Sequence, residues 1–164
     1  SAQNLIKNHN INKILIIDLD VHQGNGTASI FKSNNKVYTF SMHGSKNYPF
    51  KKEKSDLDIP LDDNTDDELY LNILKKTLPV LINKVKPKFI FYLSGVDIMK
   101  SDKLGRLSLS LEGCKERDKI VFSNCKKNDI PVQCSMGGGY SQDIDLIVDA
   151  HFNTFKTAKK IFIN

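Results

Sequence analysis

With 164 residues, of which 40% are hydrophobic, the chain is long and apolar enough for one packed domain, which excludes a disordered tail. The formal net charge of +5 comes mainly from scattered lysines, and Arg106 and Arg117 are the only arginines. A nucleic-acid groove favours arginines and exposed aromatics on one element, so we expect no nucleic-acid partner. No apolar run approaches the roughly 20 residues that span a bilayer, and no signal-peptide pattern opens the chain, so we expect no membrane association.

The cysteine pattern indicates a reducing compartment. The three cysteines are odd in number and form no Cys-x-x-Cys pair, so the sequence predicts neither a disulfide framework nor a cysteine zinc knuckle. Cys114 and Cys125 fall in a helical pattern, where we expect small buried hydrophobic side chains. We therefore expect a cytoplasmic protein. Its Lys-, Asn- and Ile-rich composition is typical of an AT-rich bacterial genome, and its first residue, serine, indicates a processed end or a cut boundary.

The first third of the chain predicts two strands. Residues 1–12 form the tail of a helix or a loop, with an exposed His9. The apolar run at residues 14–17 is typical of a strand buried on both faces, as in a parallel sheet covered by helices. A helical turn is expected over residues 26–31, and a second strand follows at residues 36–42.

A long polar connection and a helix come next. Residues 43–60 lack clear periodicity, which favours a binding loop with a short strand at residues 58–61. Thr65 is the predicted cap of the following helix, with Glu68 completing a capping box. Pro79 lies inside that helix and predicts a kink or a restart. Its apolar stripe consists of Leu69, Ile73, Leu74, Leu78, Leu81, Ile82 and Val85.

The last third repeats the strand–helix alternation. A third buried strand is predicted at residues 88–93, and Ser110 caps a helix that runs to about residues 124–127. A fourth main strand follows at residues 131–136, and a final helix extends from about residue 143 to 160. We expect the inner stripe of that helix to be Ile144, Ile147, Val148, His151, Phe155 and Ala158.

This alternation predicts an α/β fold with a parallel sheet and a single domain over residues 1–164. Ligands of such sheets bind at the carboxyl ends of the strands. Three of the four main strands end in a polar or glycine-rich turn, at residues 18–26, 95–97 and 137–140. Their convergence predicts an active site at that edge.

A metal site is indicated by residues that follow two of these strands. Asp18, Asp20 and His22 are spaced by two, so an extended chain directs all three to one side. Asp20 and His22 offer an oxygen and a nitrogen ligand, and Asp97 offers a second carboxylate. Two Asp and one His leave a fourth position open, as in catalytic zinc sites. The alternative interpretation is a capping Asp20, a hydrogen-bonded loop His22 and an Asp97 that caps a turn.

A second cation site is a further hypothesis. Asp18 lies deeper on its strand and either caps backbone amides or binds a cation. Oxygens of Ser41 and of the Met42 backbone, at a neighbouring strand end, could join Asp18 around a monovalent cation. For His43 there are two interpretations: it is an exposed loop residue, or it belongs to the site.

The glycine-rich turn before the last helix has its own candidates. Residues 137–139 are three glycines, which let backbone approach a ligand closely, although they form no phosphate-binding motif. Tyr140 could donate a hydrogen bond to a polarised carbonyl, or it packs as an aromatic at a helix start. His151 is interpreted as a core or interface histidine rather than a ligand.

Residues 18–26, Asp-Leu-Asp-Val-His-Gln-Gly-Asn-Gly, resemble the signature of the zinc-dependent histone deacetylase family, closest to its class IV branch and bacterial relatives. Further resemblances continue in order at residues 40–44 (Phe-Ser-Met-His-Gly), 47–50 (Asn-Tyr-Pro-Phe), 55–58 (Ser-Asp-Leu-Asp), 95–97 (Gly-Val-Asp), 102–107 (Asp-Lys-Leu-Gly-Arg-Leu) and 138–140 (Gly-Gly-Tyr). The likeness covers nearly the whole chain and implies the three-layer parallel sheet of the arginase/deacetylase type.

The resemblance also implies an activity and a site. The zinc ligands would be Asp20, His22 and Asp97, and Tyr140 would polarise the acyl carbonyl. The inner potassium site would comprise Asp18, Ser41 and backbone carbonyls of Asp20, His22 and Met42. The implied reaction is hydrolysis of an N-acyl lysine peptide or a small N-acyl amine by a zinc-activated water.

One departure from the family is important. The tandem histidines that serve the family as general base and acid lie upstream of the region that this chain matches, together with the first strands of the sheet. None of the four histidines here is adjacent to another. The chain therefore resembles the C-terminal portion of a deacetylase, and we expect weak or no activity from it alone. An open sheet edge would favour association with an N-terminal-half partner chain or a second copy.

Two rival interpretations remain. An arginase-like ureohydrolase needs further carboxylates for a second metal ion, but Gly24 follows His22 by two positions, and Ile98 and Met99 follow Asp97. That interpretation is disfavoured. A non-catalytic, metal-binding pseudoenzyme fragment, or one half of a split deacetylase, is the main alternative to a deacetylase that is impaired in this chain alone.

Overall fold

The apolar runs of the sequence form one parallel sheet in the computed structural model, which describes residues 1–163. The strands are β1 (Ile14–Asp18), β2 (Val37–Gly44), β3 (Leu57–Leu61), β4 (Phe89–Gly95) and β5 (Val132–Gly137). Their order is β3-β2-β1-β4-β5, and every neighbouring pair is parallel. The predicted α/β class and the predicted strands are confirmed, and β1 lies at the centre of the sheet.

Helices cover both faces of this sheet. They are α1 (Ala2–Asn8), α2 (Asn25–Phe31), α3 (Asp67–Val85), α4 (Leu111–Lys127) and α5 (Ile144–Phe162). Because side chains alternate along a strand, Leu15 and Ile17 pack with the long helices α3 to α5, while Ile14 and Ile16 pack with the short α1 and α2. Within the described residues, no helix is long and apolar enough to cross a membrane.

The helix starts follow the predicted chemistry with one correction. Ser110 caps α4, as expected. The cap of α3 is not Thr65 but Asp66, whose carboxylate accepts the Leu69 backbone N–H at 3.1 Å. The Thr65 hydroxyl instead donates to the backbone carbonyl of Asp62 at 2.7 Å, so it serves the preceding turn. Aspartate and threonine both cap helices well, so residue type alone does not decide between two neighbours. The conformation of the preceding turn determines which of them is the cap.

Pro79 does not divide α3. The helix runs from Asp67 to Val85 with Pro79 inside it, so the predicted restart is wrong. Its buried side chains are Tyr70, Leu74, Leu78, Leu81 and Ile82, which confirms most of the predicted stripe.

The predicted inner stripe of α5 is half wrong: Ile147 and Ala158 pack against the core and His151 is partly buried, but the other three residues are exposed. Ile144, Val148 and Phe155 are 70%, 58% and 46% exposed. The buried residues of this helix are instead Ala150, Thr154 and Thr157. These small side chains let α5 approach α4 closely, whereas no described element covers the larger apolar side chains.

Candidate metal centre

The ends of the two central strands bring three metal-competent side chains together. Strands β1 and β4 are neighbours, with Asp18 opposite Leu93, so the chain segments that follow both strands meet at one edge of the sheet. Asp20 and His22 follow β1, and Asp97 follows β4. One ligand atom from each of the three lies within 4.8 Å of the others, and this is the one such group found among residues 1–163.

The contacts within this group fit a cation. The His22 Nδ1 atom lies 3.0 Å from Asp20 Oδ1 and 3.2 Å from Asp97 Oδ2. The Val21 backbone N–H donates to Asp97 Oδ1 at 3.0 Å, while Asp97 Oδ2 is buried and has no hydrogen-bond partner. One ring nitrogen carries at most one proton, so it satisfies only one of the two carboxylates that face it. A metal ion between the three groups would satisfy both.

Electrostatics in the metal-free group follow from burial and proximity. The hydrogen bond to Asp20 and then the close approach of Asp97 raise the pKa of His22 to about 10, against a smaller opposing effect of burial. Burial works against ionisation of Asp20 too, but the hydrogen bonds from His22 prevail and lower its pKa. Burial raises the pKa of Asp97, and the nearby His22 ring offsets this increase only in part. The site thus holds a proton that a metal ion would displace.

Glycines make room for the carboxylates. A Cβ atom at Gly95 would overlap Asp20, and a Cβ atom at Gly138 would overlap the carboxyl group of Asp97. Gly138 also has a φ of +63°, which a side chain disfavours. The glycine-rich turns predicted from the sequence therefore serve close packing around the ligands.

The structure brings the side chains of the second predicted cation site close to one another. Asp18 pairs with Ser41 across β1 and β2, and both are buried. Burial, followed by repulsion from Asp20, raises the pKa of Asp18 to about 7. The Ser41 hydroxyl lies 2.9 Å from Nδ1 of His43, which is buried in β2 rather than exposed on a loop. The Met42 side chain is buried, and only its backbone oxygen enters the hypothesis.

Tyr140 directly follows the three glycines of the turn, and its side chain is 50% exposed. Its backbone N–H donates to Asp102 Oδ2 at 2.7 Å. The other oxygen of Asp102 accepts the backbone N–H groups of Leu104 and Gly105 at 2.8 and 2.9 Å. The start of the Tyr140 segment is thereby tied to the loop after β4, next to Asp97.

Two residues with clear structural roles received none from sequence reasoning. Asp102 anchors the Tyr140 segment, and Gln23 donates its amide to the Glu53 carbonyl and to Asp58 Oδ1 at 2.7 and 3.0 Å. Their partners are 30 to 38 positions away in the chain. The only available signal was their place inside the motifs at residues 18–26 and 102–107.

His151 is half-buried on α5, and burial lowers the pKa of its ring. It lies outside the three-residue group of Asp20, His22 and Asp97. His9 is exposed, as predicted.

Comparison with known proteins agrees with this geometry. A family model described as histone deacetylase domain matches residues 1–155. An uncharacterised protein of Picosynechococcus sp. is 43% identical over 150 residues, covering 92% of this chain and 50% of the relative. Histone deacetylase 2 of Arabidopsis thaliana is 34% identical over 133 residues, covering 79% of this chain and 34% of the relative.

Solved structures show the same fold. A crystal structure of acetylpolyamine aminohydrolase from Burkholderia pseudomallei superimposes with a TM-score of 0.81 at 17% identity, covering 98% of this chain and 48% of that one. The chain thus spans half or less of the length of these relatives.

Proposed function

This chain belongs to the histone deacetylase domain family, and on that basis we propose that it carries the metal-binding half of a zinc-dependent amidohydrolase. The proposed reaction removes acyl groups from lysine side chains or similar N-acyl amines. One observation carries the proposal: Asp20, His22 and Asp97 converge at the carboxyl ends of adjacent parallel strands, with a buried oxygen of Asp97 left unpaired.

The residues divide by role. Asp20, His22 and Asp97 would hold the zinc ion, which when bound supplies Lewis acidity that lowers the pKa of water and polarises an amide carbonyl. The Tyr140 hydroxyl would donate a hydrogen bond to the carbonyl oxygen of the substrate as charge develops there. Its half-exposed side chain is accessible to such a substrate.

A structural potassium site is the second, smaller part of the proposal. Asp18, Ser41 and the Met42 backbone carbonyl would contribute its oxygens. Its support is the pairing of Asp18 with Ser41 and the buried carboxyl group of Asp18. A cation there would favour the ionised form of Asp18 over the protonated form.

Proton transfer needs groups that this chain does not contain. None of its four histidines is adjacent to another, and a positioned general base or acid contributes about 10²–10⁴-fold to catalysis. We therefore propose that efficient turnover depends on a second segment that supplies a base near Asp97 and His22.

The sheet edge formed by β5 is the proposed docking surface for that segment. No residue of β5 is fully buried, and Met136 is 59% exposed. On the face of the sheet that α3 to α5 cover, helix α5 has four exposed apolar side chains: Ile144, Val148, Phe152 and Phe155. On the other side, Phe91 and Leu93 line a cavity of about 420 Å³. Exposed apolar surface next to a free strand edge favours strand addition.

The proposed occupant is the remaining part of a deacetylase-like domain, because the chain covers 50% of its 43% identical relative. That part would pair a parallel strand with β5 and bury the α5 face. A second copy of this chain is the competing occupant, and it would leave the site without a general base.

Metal binding by the purified chain tests the core of this proposal. Co²⁺, a spectroscopic substitute for zinc, should bind with a tetrahedral absorption spectrum, and His22→Ala should abolish this spectrum. His9→Ala is the matched control, because His9 is exposed and far from the ligands in sequence, and it should bind normally. Equal binding by the His22→Ala variant would refute the assigned site.

Complementation tests the catalytic part. The chain should be mixed or co-expressed with the half of the Picosynechococcus relative that it does not match. We expect hydrolysis of an acetyl-lysine peptide by the mixture, little by the chain alone, and none after His22→Ala in the mixture. Robust hydrolysis by the chain alone would contradict the need for a second segment. A stable, metal-loaded but inactive mixture would favour the pseudoenzyme.

A further inference from the structure

A fully buried ion pair on α4 reaches the strand ends that deliver the metal ligands. Arg117 and Asp118 are both 0% exposed, and Arg117 Nε donates to Asp118 Oδ1 at 2.9 Å. The function proposed above gives neither residue a role. Burying a charged pair is costly unless its hydrogen bonds are well satisfied, so its partners indicate its purpose.

The partners of Arg117 are backbone carbonyls at the ends of β1 and β4. Its Nη1 atom donates to the carbonyl oxygens of Leu19, at 3.4 Å, and Gly95. Its Nη2 atom donates to the Ser94 carbonyl at 3.3 Å. Leu19 directly precedes the ligand Asp20, and Gly95 lies two residues before the ligand Asp97. One guanidinium group therefore joins the two segments that carry the carboxylates.

The ends of the strands need such a donor. Leu19 lies just beyond β1, and Ser94 and Gly95 are the last two residues of β4, so their carbonyls lie where the regular ladder ends and require donors from elsewhere. A guanidinium offers five N–H donors in a rigid plane, whereas a lysine offers a single point of donation on a flexible stem.

Asp118 in turn fixes Arg117. Asp118 Oδ1 accepts the Tyr92 hydroxyl, and Asp118 Oδ2 accepts the Thr154 hydroxyl at 2.6 Å. The carboxylate is thereby tied to β4 and to α5. Although burial opposes the charge, Asp118 keeps the pKa of Arg117 above its usual range, so the cation persists at neutral pH.

We infer that Arg117 is a positioning residue for the metal centre, which sets the separation of Asp20 and Asp97 by joining the strand ends that carry them. Asp118 orients the guanidinium for this task. The inference rests on the proposed metal-binding function, and its physical basis is that outer-shell groups determine how well ligands are preorganised.

The test compares Arg117→Lys with Phe122→Leu in the full chain. Phe122 lies on the same helix, is buried and packs against Tyr92, so its truncation loosens the core without touching the strand-end carbonyls. We expect Arg117→Lys to weaken Co²⁺ binding by about 10- to 100-fold and to alter the absorption spectrum, and Phe122→Leu to do neither. Asp118→Asn, which keeps the size of the side chain and leaves the Arg117 guanidinium in place, is the second variant and should weaken binding by a smaller factor.

Hydrogen exchange provides a readout without metal. The Val21 amide donates to Asp97 Oδ1, so its protection reports whether the two segments keep their separation. Arg117→Lys, or Asp118→Asn in its place, should accelerate exchange at Val21 by about tenfold relative to the β2 amides, whereas Phe122→Leu should not. Unchanged exchange at Val21 in these variants, or an equal acceleration in Phe122→Leu, would overturn the positioning role. Failure of the wild-type chain to bind Co²⁺ would overturn the proposed metal centre instead, and Val21 exchange would still decide the role of Arg117.

Discussion

The centre of the sheet and its β5 edge differ in how completely their residues are buried. All five residues of β1 are buried, whereas none of the six residues of β5 is. At the end of β1, polar atoms of three ligands face one another within 4.8 Å. Beside β5, large apolar side chains such as Val148 and Phe152 are 58% and 60% exposed.

This difference separates two requirements of the proposed enzyme. The metal centre depends on contacts between β1, β4 and α4, all of which lie within this chain. The edge presents apolar surface that no described part of this chain buries. Metal binding should therefore be a property of this chain alone, while turnover should depend on what covers the edge.

Filling the space around the carboxylates should have the largest effect on the central region. Gly138→Ala introduces a Cβ atom that overlaps Asp97 at a φ of +63°, so we expect a loss of about 2–4 kcal/mol in the free energy of unfolding, together with loss of Co²⁺ binding. Urea unfolding and metal titration would measure both.

Gly26→Ala is the matched control for that variant. Nothing lies within 4 Å of a Cβ atom at Gly26, which is exposed on α2, so this change should stabilise the protein by about 0.5–1 kcal/mol. Equal tolerance of both substitutions would show that the glycine turn is not packed against Asp97.

A change of pH should have an intermediate effect on the affinity for a metal ion. The pKa of His22 is raised to about 10 in the metal-free protein, so the ring is protonated at neutral pH and must lose its proton to bind a metal ion. Affinity for Zn²⁺ should therefore rise about tenfold per pH unit from about pH 7 to about pH 9, with release of about one proton. Calorimetry in two buffers of different ionisation enthalpy measures the release, and a buffer-independent enthalpy would contradict it.

A substitution at the β5 edge should have the smallest effect on the free energy of unfolding, and its main effect should be on association. Phe152→Glu places a charge on the exposed face of α5, so the free energy of unfolding of the isolated chain should change by less than about 0.5 kcal/mol. Capture of the complementary half should weaken by about tenfold or more, because apolar anchors dominate interfaces. Val80→Glu is the control, since Val80 is 67% exposed on α3, away from the edge. Sedimentation velocity would compare both variants, and equal weakening by Val80→Glu would argue against a specific α5 surface.

The sequence was sufficient for the strands and for the three candidate ligands that the structure brings together. Buried parallel strands are continuous apolar runs, so residues 14–17 and 88–93 were recognisable without knowledge of their neighbours. The carboxyl ends of such strands meet at one edge, which is why Asp20 and Asp97 could be paired across 77 positions.

Local periodicity was misleading where packing decides burial. The apolar stripe of α5 has the same helical spacing as a core-facing stripe, yet Ile144 and Phe155 are exposed and Thr154 is buried. Spacing reports that a face is apolar, but it does not report what covers that face. The incorrect prediction of Thr65 as the cap of α3 has a similar cause. Both Thr and Asp cap helices, and the Thr65 hydroxyl is already bonded within the preceding turn, so Asp66 is the cap.

The contacts that complete the centre emerged only from the tertiary structure. The motif at residues 18–26 predicts which atoms could bind a cation, because the ligand chemistry of Asp and His is local. The hydrogen bonds of Arg117 join carbonyls 98 and 22 positions away, and no local pattern encodes such a pairing. The open β5 edge is likewise a property of strand order, which is set by how the helices pack strands side by side and not by the composition of β5 itself.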